Sequence, residues 1–179
     1  MRNLVVALAV SLDGFIEGPH GEYDWCFTDQ DYGLHEFFLR IDAVFIGRKS
    51  YEVAREYRDH NGRLVPGMPP VTEYVFSSTL QSANEGAVII ATDAVAEVRK
   101  IKALPGKDIW LYGGAVLTNA LLREGLVDEI WMAVHPILLG SGKPLFEPRS
   151  QRIGLTLLEN KTYETGLVSL RYKVNNHGL

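Results

Sequence analysis

Cysteine is almost absent. Cys26 is the single thiol in 179 residues, so no internal disulfide can form and a reducing compartment is the expected one. No apolar run is long enough to cross a membrane, and the chain opens straight into a strand-like run without the architecture of a secretory leader. Positive charge is not in excess, since 18 Lys and Arg stand against 22 Asp and Glu. A net charge of -4 argues against a nucleic-acid-binding surface, although it leaves room for a local basic pocket. His20, His35, His60, His135 and His177 lack metal-ligand spacing. No GxGxxG follows the first apolar run, which disfavours a Rossmann dinucleotide fold. The expectation is a soluble cytoplasmic protein without a metal, nucleic acid or membrane partner.

What remains is an ordinary globular composition, 46% hydrophobic and 22% charged. A chain of 179 residues holds one substantial core and is short for two, so a single domain over 1–179 is expected. The chain is organised around residues 108–146, DIWLYGGAVLTNALLREGLVDEIWMAVHPILLGSGKPLF. Ile109 to Tyr112 reads as a strand, Gly113-Gly114 as a tight turn, the following apolar-periodic stretch as a helix stopped by Gly125, and the run from Val127 as another strand. Paired glycines before a helix let the backbone approach a ligand closely, and helix N-terminal amides favour phosphate. The plainer alternative is a tight turn and nothing more.

Elsewhere, Leu4 to Val10 reads as a strand buried on both faces. Residues 11–30 form a long polar and aromatic loop, and loops of that length are commonly functional. A helix is expected over Asp31 to Arg40, with Asp29 or Asp31 as its cap, and another over Lys49 to Tyr57. Ala43 to Ile46, Val71 to Phe76 and Ala87 to Ala91 read as strands, and residues 58–70 as a loop. Thr92 or Asp93 caps a helix bearing Ala94, Val98 and Ile101 on one face, stopped at Pro105-Gly106. Ile153 to Tyr163 and Leu167 to Val174 read as a hairpin, with fraying from Asn175 onward. The alternation gives an α/β fold, a mixed and mostly parallel sheet with an antiparallel C-terminal hairpin.

Four separated segments, AVSLDGFI, GRKSYE, VFSST and YGGAVLTNALLREGLVDEI with HPILLGSGKPLF, occur in the order of one family. The chain resembles dihydrofolate-reductase-like proteins, in the subgroup of the reductase domain of bacterial riboflavin biosynthesis. That resemblance implies a three-layer α/β/α fold and an NADPH-dependent reductase, similar to 5-amino-6-(5-phosphoribosylamino)uracil reductase, acting on a small pyrimidine or pterin-like substrate. Alternatives are a reductase of another small carbonyl or heterocycle, or a nucleotide-binding protein that keeps the fold without turnover. Relatives of this kind are often dimers, and Ile130-Trp131-Met132 is a candidate strand edge for a homodimer.

The resemblance also implies the site. Gly47, Arg48, Lys49 and Ser50 fall beside the cofactor's adenosine half, where Arg48 and Lys49 suit a 2′-phosphate and thus NADPH. Ser77 and Ser78 match phosphate or ribose contacts, the alternative being turn capping. Gly113 and Gly114 lie against the pyrophosphate, with helix-start amides at Ala115, Val116 and Leu117. Ala9, Ser11, Leu12, Asp13, Gly14 and Phe15 match the segment beside the reacting ring. Asp13 and Asp31 are the candidate catalytic carboxylates, Asp31 being preferred to Asp24 and Asp29 for holding the substrate. Lys143 is either an anion contact or a surface lysine, and Phe37 or Phe38 is a candidate stacking partner. The zinc deaminase signature of the bifunctional riboflavin enzymes is missing, as is a basic cluster for a substrate phosphate within residues 11–40.

Overall fold

A computed structural model describes residues 1–175. In chain order its elements are β1 (Leu4–Ser11), β2 (Phe15–Glu17), α1 (Leu34–Arg40), β3 (Ile41–Gly47), α2 (Arg48–Ala54), β4 (Thr72–Phe76), β5 (Val88–Ile90), α3 (Ala94–Ala103), β6 (Asp108–Gly113), α4 (Ala115–Arg123), β7 (Glu129–His135), β8 (Lys143–Pro144), β9 (Gly154–Thr162) and β10 (Val168–Asn175). Eight strands make one sheet in the order β5-β4-β3-β6-β1-β7-β10-β9, and β2 with β8 makes a separate antiparallel ribbon. From β5 to β7 every pairing is parallel, while β10 runs antiparallel to both β7 and β9.

The central strands are apolar throughout because both faces are covered. On one face Leu4, Val6, Phe45 and Leu111 meet Val98 and Ile101 of α3 and Leu121 and Leu122 of α4. On the other, Val5, Val44, Ile46 and Trp110 meet Phe37 and Phe38 of α1 and Tyr51 and Ala54 of α2. The layers are therefore α/β/α, with α3 and α4 opposite α1 and α2. Asp93 caps α3 by accepting from the Ala96 amide at 3.0 Å. At the end of α4, Gly125 adopts φ +62°, and the amides of Gly125 and Leu126 return to the carbonyls of Leu122 and Leu121. That is the glycine stop read from the sequence.

Three readings change. Ile130-Trp131-Met132 is no edge, since β7 lies between β1 and β10, and the C-terminal edge of the sheet is β9. The segment 11–30 is not all loop, because Phe15–Glu17 pairs with Lys143–Pro144, a contact made across more than a hundred residues and invisible to local pattern. Asn175 closes β10, and the rest of the expected frayed tail, 176–179, lies outside the described residues. Among the described residues no helix is long and apolar enough to cross a membrane.

The two ends of the sheet differ. At the amino ends of the strands Arg40 bonds Asp108 and Glu129, Arg2 bonds Asp42, and Lys102 bonds Asp128. At the carboxyl ends stand glycines, short loops and the β2–β8 ribbon. An open α/β sheet offers its ligand crevice on that second side.

Candidate active site

Gly47 and Gly113 end two neighbouring strands, and the chain passes directly from each into a helix. A Cβ placed on Gly47 would stand 3.6 Å from the Gly113 carbonyl oxygen and 3.7 Å from the Gly114 nitrogen. On Gly114 it would stand 2.9 Å from Ser50 Oγ, with Lys143 Nζ at 3.9 Å. Three glycines thus leave bare main chain at one spot, flanked by a hydroxyl and an ammonium. No side chain caps α4, and the amides of Ala115, Val116 and Leu117 precede the first helical bond, Thr118 to Gly114. Uncapped amides over a bare turn suit phosphate oxygens.

A second strap holds the far side. Asp13 accepts from Ser11 Oγ at 2.6 Å, from the Gly140 amide at 2.8 Å and from the Leu139 amide at 3.2 Å. The Ser11 hydroxyl, with those two amides, holds the Asp13 carboxyl below the usual carboxylate range. The Asp13 carboxylate thereby ties Leu139 and Gly140 to the β1 turn. Ser11 also accepts from the Phe15 amide at 2.9 Å, which starts the β2–β8 ribbon with Gly14 at φ +90°. Within that ribbon Lys143 pairs with Glu17 at 3.1 Å while reaching Gly114.

The remaining predicted residues divide. Arg48 is bound to both oxygens of Glu52 one helical turn on, at 2.9 Å, whereas Lys49 is exposed and has no partner among the described residues. Ser77 accepts from the amides of Thr79 and Leu80, the turn-capping role, and Ser78 is exposed beside it. Ala9 lies in register with Ala133, half-buried on the α1 and α2 side. Asp31 accepts from the amides of Gly33 and His35 and so anchors the start of α1, and Asp29 binds the Tyr32 hydroxyl. Phe37 and Phe38 are both buried against Trp110 and neither is free to stack on a ligand.

Sequence reading passed over the aromatic residues on that side. Tyr112 follows Trp110 on the same face of β6, with ring centroids 5.0 Å apart. Tyr23 meets Tyr57 edge-on at 5.9 Å, and its hydroxyl is pushed up to about 12 by burial and by Tyr57. Trp25 and Phe27 lie against His135, whose Nε2 accepts from the Phe27 amide at 3.1 Å. Asn119, buried in α4, donates to the carbonyls of Ala115 and Leu145 and accepts from the Glu147 amide, fixing the strap behind β8. The only local hints were a polar residue on an apolar helix face and an excess of tyrosine near glycine.

The sequence matches the family described as RibD C-terminal domain over residues 2–169. The chain belongs to that family. It is 42% identical over 180 residues to the uncharacterized protein YyaP of Bacillus subtilis (strain 168), covering 97% of this chain and 96% of that one. Among solved structures it is similar to a diaminohydroxyphosphoribosylaminopyrimidine deaminase/5-amino-6-(5-phosphoribosylamino)uracil reductase of Thermotoga maritima, with a TM-score of 0.75 at 12% identity, over 96% of this chain and 56% of that one. It is also similar to a dihydrofolate reductase of Enterococcus faecalis complexed with NADP(H) and RAB-propyl, with a TM-score of 0.66 at 18% identity, covering 96% and 94%. At such identities the likeness is one of fold, and the RibD C-terminal domains share the dihydrofolate-reductase-like sheet seen here.

Proposed function

We propose that this chain is an NADPH-dependent oxidoreductase that delivers hydride to a small pyrimidine or pterin-like ring. The observation that carries the reading is the convergence of four distant segments, Ser11–Phe15, Gly47–Ser50, Ser77–Ser78 and Gly113–Leu117, at the carboxyl ends of parallel strands, with Gly47, Gly114 and Ser50 in contact. Bound NADPH supplies the hydride; the protein supplies position and a dry site.

Gly47, Gly113 and Gly114 admit the pyrophosphate, and the amides of Ala115, Val116 and Leu117 receive its oxygens. Ser50 and Lys143 flank it. Lys49, with no partner among the described residues, is the better counter-charge for a 2′-phosphate, and Arg48 contributes what Glu52 leaves it. Ser77 and Ser78 border the ribose. Ala9, Gly14 and Phe15 form the wall beside the nicotinamide, held by the Asp13 clasp. Asp31 orients the start of α1 and, through it, the substrate side.

Calorimetric titration with NADPH and NADH, followed by NADPH oxidation with the riboflavin pyrimidine intermediate and with dihydrofolate, tests this. Tight NADPH binding with ring-dependent oxidation is expected, and no binding of either cofactor would refute it. One observation favours a binding protein without turnover: both carboxylates have other hydrogen-bonding work. Cofactor binding with no oxidation would select that reading. Self-association as a homodimer belongs to the same proposal, through β9, which exposes Leu155, Leu157 and Leu158 and an unpaired row of backbone groups. Sedimentation as a 20.0 kDa species alone would remove it.

A further inference from the structure

Two parts of the chain face each other across the proposed diphosphate position. One is the start of α4, where Gly114 precedes the uncapped amides of Ala115, Val116 and Leu117. The other is the strap 139–147, which carries Lys143 of β8 and brings its Nζ to 3.9 Å from a Cβ placed on Gly114. Much of what holds the strap comes from the first loop. The Leu139 and Gly140 amides bond Asp13, the Leu145 amide bonds the Gly14 carbonyl at 3.0 Å, and Glu17 pairs with Lys143. These ties fix the strap to residues 13–17. They do not fix it to α4.

Two side chains of α4 reach the strap by hydrogen bonds. Arg123 meets Glu147 at 3.1 Å, but the two side chains are 59% and 42% exposed, and water weakens such a pair. The helix and the chain beyond Glu147 part around an open cavity of about 670 Å³, lined by Asn119, Leu122, Arg123, Pro148 and Arg149 among others. Beyond Asn119 the strap therefore has little behind it to rest on.

Asn119 closes the gap. It is only 1% exposed. Its Nδ2 donates to the Ala115 carbonyl at 2.8 Å and to the Leu145 carbonyl at 2.9 Å. Its Oδ1 accepts from the Glu147 amide at 3.1 Å and from Arg149 Nη2 at 3.0 Å. All four hydrogen-bonding places of the amide are spent, and turning it over would set like against like at each. Leu145 is buried as well, so its bond lies out of water, where such a link is strongest. The partners matter: Ala115 opens α4, and Leu145 stands two residues beyond Lys143.

From this arrangement we infer that Asn119 is a positioning residue for the cofactor. It joins the strap to α4 and so sets the distance between the Lys143 ammonium and the bare amides. Asn119 acts through Lys143 rather than by touching a phosphate. The inference rests on the reductase reading for its ligand, and on the hydrogen-bond geometry for the joint.

A double-mutant cycle tests it, with NADP+ affinity measured by calorimetry for wild type, Asn119→Leu, Lys143→Ala and the pair. Asn119→Ala takes the place of the leucine variant if that one does not fold. Each single change should weaken NADP+ by about tenfold, the size of one charge-assisted contact. The pair should bind no more weakly than Lys143→Ala alone, because nothing is left for Asn119 to position. A loss of about a hundredfold in the pair, as for independent effects, overturns the inference, as does wild-type affinity in Asn119→Leu. Amide hydrogen exchange of the cofactor-free protein gives a second reading. Residues 139–147 should exchange faster in Asn119→Leu while β1, β6 and β7 keep their protection. Unchanged exchange of the strap overturns the inference whatever the cofactor does. If the wild type binds no NADP+ while the strap loosens in the variant, the reductase reading falls and the hold of Asn119 on Lys143 stands.

Discussion

On one face of the sheet Leu4, Val6 and Leu111 meet the leucines of α4; on the other Trp110, Tyr112 and Trp131 meet Phe37, Phe38 and Tyr51. The same strands supply both faces by alternation, yet the two are finished differently. Helices α3 and α4 have ten and nine residues, with an Asp93 cap on one and a glycine stop on the other. Helices α1 and α2 have seven each, neither with a side chain of its N-cap residue bonded to its amides. Under the longer helices the packing is mainly aliphatic, with Phe45, Tyr74 and Phe76 as its rings. Large aromatics under short helices stop before the carboxyl edge and hand the covering to a loop. The first face holds the fold, and the second is where the proposed ring substrate would enter.

Substitutions placed on each face should therefore part company. Leu121→Ala removes a fully buried side chain and should cost about 3 kcal/mol in denaturant unfolding, within the usual range for buried leucine, without altering ligand affinity of the folded protein. Tyr112→Ala should cost roughly half that, since Tyr112 is only partly covered, yet should abolish most ring binding. Equal stability losses with no ligand effect at Tyr112 would erase the distinction. Between the faces, Gly114→Ala pushes a methyl against Ser50 and into the proposed phosphate path. It should weaken NADPH by about tenfold to a hundredfold in calorimetry, with the unfolding midpoint little changed.

How much of this was legible follows the same division. Strands β1, β3, β6 and β7 announce themselves because a parallel strand covered on both sides must be apolar at every position. The Gly113-Gly114 turn, the Asp93 cap and the Gly125 stop depend on residues adjacent in the chain, and they read correctly. Residues 11–30 did not, because their shape is set by distant partners: Asp13 with Gly140, Phe15 with Pro144, Phe27 with His135. The i, i+4 pair of Arg48 with Glu52 stood in the sequence and qualifies the 2′-phosphate assignment. Tyr112 went unremarked since within a strand an aromatic looks like core. Only its place at the uncovered end gives it another use.

That qualification sharpens into a smaller effect. Lys49→Ala should weaken NADPH by about tenfold and NADH hardly at all, as expected for one charge-assisted contact to a phosphate. Arg48→Ala should cost NADPH only about threefold, because Glu52 already shares its charge. Equal losses for both cofactors in either variant would remove the 2′-phosphate from this helix.

The least of the effects concerns how firmly the aromatic cover is held. His135 is buried, its Nε2 accepts from the Phe27 amide, and its Nδ1 lies 2.9 Å from the Ala133 carbonyl. Both bonds are satisfied by the neutral ring with its proton on Nδ1, and burial pushes the imidazole pKa down. On unfolding, the ring regains its ordinary value near 6.5, so below that pH the unfolded chain takes up a proton that the folded one resists. The contribution is complete above that value and is lost as the pH falls. Protonation of Nε2 would also cost the Phe27 amide its acceptor and loosen the segment bearing Tyr23 and Trp25. His135→Gln keeps an acceptor but cannot titrate. Between pH 7.5 and 5 the wild-type unfolding midpoint should drop by about 3 °C more than that of the variant, the size of a 1 kcal/mol effect in a chain of this length. Parallel curves would mean that the cover is held by Tyr32 and Asp13 alone, and that the imidazole is only packing.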